Sequence, residues 1–244
     1  LKAVVLAAGK GTRLATVDPG LPKVLHRIGE RPCIEYILAG MAKYGIDRVL
    51  LVIGYRGDLI QEAIGCGSHL GLAVEYAEQD MSRYGTGAAV QMAEPFAGGE
   101  PFLFSFGDIL VYPRNYQYLC DAYGSTGCPT IGVNWTEDPK DGAAVYVDDE
   151  NRVLDIIEKP EPGTSATHWN QAGVSVFTAG IFDYLRDLKP SARGEYELTH
   201  AVQRMLAAGE RVLAYPLEGY WQDIGSPEDL ARVQAMAERG MLGL

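Results

Sequence analysis

Lys2 to Ala8 is an apolar run with β-branched members that breaks at once into Gly9-Lys10-Gly11-Thr12, the pattern of a buried strand entering a glycine loop. Arg48 to Gly54 repeats the buried-strand pattern, Leu72 to Tyr76 and Pro101 to Phe106 read as a third and a fourth strand, and the last ends on Gly107-Asp108. Between them Ile34, Ile37, Leu38 and Met41 recur at the spacing of one helix face, with Pro32 at a tolerated first position. Asp58 to Ile64 and the alanine-rich Gly85 to Ala93 read as two further helices. Strands alternating with helices predict a mostly parallel, doubly wound α/β sheet built from right-handed crossovers. Ligands of such sheets bind beyond the carboxyl ends of the strands, which is where Gly9 to Arg13 and Asp108 fall.

The second half changes character. Thr130 to Asn134, Ala143 to Val147, Val153 to Glu158 and Val174 to Phe177 are short strands between turn-rich segments, so mixed strands and a lid over the first half are expected. Helical spacing returns at Leu198, Val202, Met205 and Leu206, and a strand at Val212 to Tyr215 follows. Pro227 to Arg239 then reads as a helix capped by Ser226. No repeat interrupts this order, and no hexapeptide period follows Gly225.

Composition narrows the class. With 47% hydrophobic and 22% charged residues the chain is globular, and its formal net charge of −11 argues against nucleic acid or an anionic membrane as partner. An anionic substrate must therefore be met by local cations. Cys33, Cys66, Cys120 and Cys128 have neither C-x-x-C spacing nor a histidine partner, so reduced thiols are expected rather than zinc. No apolar run approaches the roughly 20 residues that span a bilayer, and a cytoplasmic location is expected. The chain opens on Leu1 rather than methionine, which leaves an upstream segment open.

Gly9 to Leu14 matches neither the dinucleotide fingerprint nor the P-loop. Its small residues would let backbone N–H groups approach phosphate oxygens, with Arg13 as a planar fork; the same residues would also serve a plain structural turn. Lys23, in Pro22-Lys23-Val24-Leu25, is within reach of that loop or is an ordinary surface lysine. Asp108 sits where a carboxylate can hold a hard cation, or where a turn aspartate caps its own backbone. Glu158-Lys159-Pro160 ends a strand with opposite charges adjacent, so alternation turns one side chain to the site and the other to the frame. Asp223, within Tyr220 to Gly225, is an acid in an aromatic setting that needs a metal or a base beside it. His26, His69, His168 and His200 show no catalytic arrangement, and no Asp-x-Asp signature points to a glycosyltransferase.

Taken together, Leu6-Ala7-Ala8-Gly9-x-Gly-Thr-Arg-Leu14, Pro22-Lys23-x-Leu25, Gly107-Asp108, Glu158-Lys159-Pro160 and Trp221-x-Asp223-Ile224-Gly225 resemble the sugar-phosphate nucleotidyltransferases, the nucleotide-sugar pyrophosphorylases, over nearly the whole chain. Ser191 to Thr199 is similar to a segment of the hexose-1-phosphate uridylyl- and thymidylyltransferase members. The resemblance implies a Rossmann-like, single nucleotidyltransferase domain over 1–244. Its nucleotide-binding half would cover about 1–125, its sugar-phosphate-binding half about 126–225 and a C-terminal helix about 226–240. It implies transfer of a nucleoside monophosphate from a triphosphate to a sugar 1-phosphate, with Mg2+ on Asp108 and Asp223 and with Arg13, Lys23 and Lys159 on the reacting phosphates. Ala8, Gly9, Gly11, Thr12, Gln79, Gly85 and Thr86 would hold the nucleotide, and Gly142, Glu158, Gln171, Gly173 and Arg193 the sugar phosphate. UTP or dTTP is the expected triphosphate, and self-association into a homo-oligomer is left open.

Two departures from the family pattern stand out. Gln171-Ala172-Gly173 occupies the place of Asn-Ala-Gly, with Asn170 one position earlier. Gln79 lies six rather than five residues before Gly85, which turns it either to the base or to solvent. Transfer to a non-sugar phosphate such as phosphocholine, and a binding protein that has lost turnover, are the competing readings.

Overall fold

The computed structural model describes residues 1–11, 13–14 and 16–243 and the backbone of residue 15. The first half runs β1 (Lys2–Ala7), β2 (Arg27–Ile28), β3 (Arg31–Pro32), α1 (Cys33–Lys43), β4 (Arg48–Ile53), α2 (Gly57–Ile64), β5 (Ala73–Glu78), α3 (Thr86–Gln91), α4 (Glu94–Ala97) and β6 (Phe102–Phe106). It continues with β7 (Ile109–Val111), α5 (Arg114–Thr126), β8 (Thr130–Trp135), β9 (Ala143–Val147), β10 (Val153–Glu158), β11 (Trp169–Phe177), α6 (Ile181–Leu185), α7 (Leu198–Ala207), β12 (Leu213–Pro216), β13 (Trp221–Asp223) and α8 (Pro227–Glu238).

The main sheet runs β10-β9-β11-β6-β1-β4-β5, with β8 on β11 and β12 on β8. β6, β1, β4 and β5 pair in parallel, while β11 meets β6 antiparallel. The parallel strands stand in the order of a doubly wound sheet, and the winding reverses between β1 and β6. That switch point is the crevice where such sheets bind ligands, and Ala8-Gly9 and Gly107-Asp108 leave the sheet on either side of it.

Alternation along each strand builds two cores. Val5, Val49, Leu51 and Leu103 face one side, where Ile34, Ile37, Leu38 and Met41 of α1 pack. Val4, Leu50, Val52, Phe102 and Phe104 face the other, under Val90 of α3 and Ala201, Val202 and Met205 of α7. The stripe predicted for α1 is therefore the stripe that is buried. At α8 the Ser226 hydroxyl accepts the Asp229 N–H at 3.2 Å, the expected cap.

The mixed strands of the second half do not form a lid over the first. They extend its sheet, because β11 is nine residues long and pairs with β6, β8 and β9. Several elements escape the sequence pattern, among them α4, α6 and the β2–β3 pair. α5 is rich in tyrosine and polar residues, which blurs its helical period. β7 and β13 are three residues each and form a separate antiparallel pair, too short to show an alternation.

Gly107 lets β6 turn into β7 against β1. Its N–H donates to the Leu6 carbonyl at 2.8 Å, and a Cβ there would stand 2.7 Å from that oxygen and 3.2 Å from Val24 Cγ1. Gly107→Ala should lower stability by about 1–3 kcal/mol through overpacking, read as a fall in Tm. A wild-type Tm would mean that β1 and β6 yield here without cost.

Candidate active site

A cavity of about 920 Å³ opens over the carboxyl ends of β1 and β6 and continues across β8, β9 and β11. Its walls include Ala8, Gly9, Arg13, Lys23, Gln79, Gly85, Thr86, Asp108 and Asp223 at one end, and Gly142, Glu158, Lys159, Gln171 and Arg193 at the other. Of the site residues named from the sequence, Gly11 and Gly173 do not line it, and Thr12 lies outside the described residues.

The two absent glycines act by packing instead. A Cβ on Gly11, at φ +61°, would stand 2.6 Å from Lys23 Cβ, so this glycine lets the loop pass beside the lysine. Gly173, at φ +74°, lies under the cavity floor, where a Cβ would stand 2.5 Å from both Phe106 Cδ2 and Ile109 Cδ1.

Asp108 and Asp223 meet because of the β7–β13 register. Asp223 pairs with Ile109, and the Ile224 N–H donates to the Asp108 carbonyl at 2.9 Å. Both carboxylates converge on one point, the Lys23 ammonium, with Nζ 2.6 Å from Asp108 Oδ2 and 3.2 Å from Asp223 Oδ1. Burial alone would lower the Lys23 pKa, but the two carboxylates outweigh it and hold the value above the ordinary one. Burial raises the Asp223 pKa, helped by Asp108 and opposed by Lys23. Gly225 makes room beside them, since a Cβ there would stand 2.8 Å from Asp223 Oδ2 and 2.9 Å from Arg13 Nη2.

Among the described residues no group of three or more histidine, cysteine, aspartate or glutamate side chains is placed to hold a metal. Two convergent carboxylates nevertheless fit magnesium, which takes one or two carboxylates and completes its shell with water and substrate phosphates.

At the other end Glu158 and Lys159 both line the cavity, although strand alternation predicts that one of them turns away. Lys159 leaves the β conformation at φ +40°, and its N–H donates to the Gly142 carbonyl at 2.8 Å. This non-glycine left-handed residue is a strained feature held by its neighbours. Arg193 Nη2 lies 2.7 Å from Glu197 Oε1 and 3.3 Å from Glu158 Oε1, and Thr199 donates to Glu158 Oε2 at 3.1 Å.

Glu197, 2% exposed, is a wall residue that the sequence reading passed over. Its signal was the four-residue spacing to Arg193. Asp138 was also missed, because a following proline reads as a plain turn. Gln79 is buried beside the glycine turn, not turned to solvent. Its Nε2 donates to Gly85 O at 3.1 Å and to Arg83 O at 3.3 Å. Both amide hydrogens are thus spent on the turn, and the donor-plus-acceptor pair expected of Gln79 reduces to its acceptor.

The match to known proteins agrees with this geometry. Residues 2–240 fit the model of the nucleotidyl transferase family. The chain belongs to that family. It is 32% identical over 234 residues to a low-salt glycan biosynthesis nucleotidyltransferase of Haloferax volcanii, covering 94% of this chain and 64% of that one. It is 32% identical over 235 residues to a glucose-1-phosphate thymidylyltransferase of Streptomyces antibioticus, covering 96% and 65%. The chain thus spans just under two thirds of the length of these relatives. A crystal structure of UDP-glucose pyrophosphorylase complexed with UDP-glucose superposes with a TM-score of 0.86 over 98% of both chains at 22% identity, a likeness of fold. No described helix is long and apolar enough to cross a membrane.

Glu158 supplies a pH test. Burial and the Glu197 carboxylate raise its pKa, against the Thr199 hydroxyl, Arg193 and Lys159. Between the unfolded value, about 4.3, and the raised folded value, the native state keeps a proton that the unfolded chain has released. The stability this contributes is full below the unfolded pKa and is lost as pH rises through the folded one. Glu158→Gln should therefore gain in Tm on the wild type as pH rises from about 4 to about 7. A difference that stays constant over that range would show that Glu158 titrates as an ordinary surface carboxylate.

Proposed function

We propose that this chain transfers a nucleoside monophosphate from a nucleoside triphosphate to a sugar 1-phosphate, giving a nucleotide sugar and pyrophosphate. The observation that carries the reading is one cavity in which two convergent carboxylates, Asp108 and Asp223, meet three cationic side chains, Arg13, Lys23 and Lys159, drawn from both ends of the sheet. The nucleotide half would be about 1–125, the sugar-phosphate half about 126–225, and α8 would lie in the closing segment of about 226–240.

In the reaction an oxygen of the sugar phosphate attacks the α-phosphorus in line, the bond to the bridging oxygen breaks, and charge moves to the leaving pyrophosphate. Magnesium on Asp108 and Asp223 would supply charge neutralisation to the triphosphate. Arg13 and the loop at Gly9 would hold the departing phosphates. Lys23 can reach them by rotating about its own side chain from the two aspartates, and Lys159 would grip the incoming phosphate, so two polyanions are brought together. None of these side chains needs to form a covalent intermediate.

Gln79 supports a choice of base. With its amide hydrogens held by Gly85 and Arg83, its free oxygen suits the N3–H of uracil or thymine and opposes the bare N3 of cytosine. UTP or dTTP is the triphosphate proposed, and a lead for GTP or ATP, whose edges also present N–H donors, would overturn that choice.

Two experiments test the reading. In a matrix of triphosphates against sugar 1-phosphates followed by pyrophosphate release, UTP or dTTP with a hexose 1-phosphate should lead, and Asp108→Asn should lower kcat by about 100-fold or more. Undiminished turnover by Asp108→Asn, or in excess chelator, would remove the metal assignment. With the leading pair, Arg13→Ala should impair triphosphate use, whereas Lys159→Ala should raise chiefly the sugar-phosphate KM. An unchanged sugar-phosphate KM and kcat in Lys159→Ala would take that lysine out of the site.

A further inference from the structure

Arg13, Lys23, Lys159, Arg193 and Arg232 are the cations that line the cavity among the described residues. The transfer reading uses Arg13, Lys23 and Lys159, and Arg193 is already shared among Glu158, Glu195 and Glu197. Arg232, on α8, is left without a role. It is not an isolated surface charge, because Gln222 and Asp229, the two side chains it meets, line the same cavity.

The start of α8 places this guanidinium. The Ser226 hydroxyl accepts the Asp229 N–H at 3.2 Å and donates to Asp229 Oδ2 at 2.8 Å, which fixes the carboxylate. Its other oxygen, Oδ1, accepts from Arg232 Nη1 at 3.2 Å, and the same Nη1 lies 3.4 Å from Gln222 Oε1 on β13. One nitrogen thus carries both anchors. Nη2 and Nε, which together make one two-donor edge of the fork, have no partner among the described residues, and 57% of the side chain is exposed. An exposed aspartate–arginine pair three residues apart adds little to a helix, so stability alone does not account for the arrangement.

The neighbours of Arg232 assign it to one end of the cavity. Gln222 directly precedes Asp223, whose pKa is raised by burial and, further, by charges that include Asp229. At the other end of this short segment Arg13 lies against Gly225, where an added Cβ would stand 2.9 Å from Arg13 Nη2. The segment from Gln222 to Gly225, which carries Asp223, therefore has a guanidinium against each of its ends. When the incoming oxygen bonds to the α-phosphorus, the bond to the bridging oxygen breaks and its electron pair leaves with the pyrophosphate. An arginine already held by a carboxylate loses little freedom on meeting that charge, and its planar fork can give two bonds at once.

We propose that Arg232, positioned by Asp229 and Gln222, is a further phosphate-binding residue of the site and holds the departing pyrophosphate together with Arg13. The proposal rests on the nucleotidyl-transfer reading above but on no particular second substrate.

The test uses the whole chain with magnesium and compares the wild type with Arg232→Ala, Arg232→Lys and Asp229→Asn. Calorimetric binding of magnesium pyrophosphate is measured beside forward turnover and the reverse reaction of the product with pyrophosphate. Arg232→Ala should weaken pyrophosphate binding, and raise the pyrophosphate KM of the reverse reaction, by about 10-fold, the loss of one charge-assisted contact. Its sugar-phosphate KM and its Tm should match the wild type, which a merely structural arginine would not allow. Arg232→Lys should recover only part of the loss, because an ammonium is a point charge without the fork, and Asp229→Asn should lose part of it by loosening the guanidinium. Wild-type pyrophosphate binding and KM in Arg232→Ala, with transfer intact in both proteins, overturn the assignment and leave the transfer reading standing. A loss confined to the sugar-phosphate KM overturns it as well. Binding of pyrophosphate that depends on Arg232, in a chain that transfers no nucleotide, upholds the site and overturns the transfer reading; a wild type that neither binds pyrophosphate nor turns over overturns both.

Discussion

The site is organised around a single ammonium group. Lys23 Nζ bridges Asp108 and Asp223, and these three residues come from three separate segments: the turn after the glycine loop, the end of β6 and the end of β13. Two carboxylates this close, one of them deeply set, repel each other and pay for desolvation unless a cation stands between them. The lysine meets that requirement and ties the segments together. The remaining geometry follows from it, including Gly11 passing beside Lys23 and Gly225 making room for Arg13 and Asp223. In the proposed reaction a divalent ion on the same two carboxylates would take over this bridge and free the lysine for a phosphate.

With a net charge of −11, the polyanionic substrates of the proposed reaction would have to be met by cations held inside the cavity. Arg13 and Lys23 stand among Asp108 and Asp223 over the switch point, and Lys159 stands beside Glu158 and the acids that share Arg193.

The sequence was most legible where a period was long and a signal local. The buried parallel strands, the stripe of α1 and the Ser226 cap of α8 all match their predicted positions, because each depends on burial or capping within a few residues. The convergence of Asp108 with Asp223 was legible only as two acids at strand ends. The three-residue β7–β13 ladder that aligns them carries no period to read. The same limit hid α5, whose polar and tyrosine-rich composition obscures its buried face, and Asp138, whose surroundings read as a turn.

Lys159 shows why strand logic stops short of the site itself. Alternation sends Glu158 and Lys159 to opposite faces, and along β10 it holds from Asp155, after the irregularity that follows Val153, to the strand's end at Glu158. One residue later the backbone turns to φ +40°, anchored by the Lys159 N–H on Gly142, and both side chains enter the cavity. A glycine would take that conformation without strain but would bring no charge. The position therefore trades conformational ease for an ammonium group, and it can do so because β9 and β10 hold the backbone on either side. Strain at a lysine where any strand-forming residue could have continued the ladder is better explained by the charge it delivers to the cavity than by the stability of the sheet.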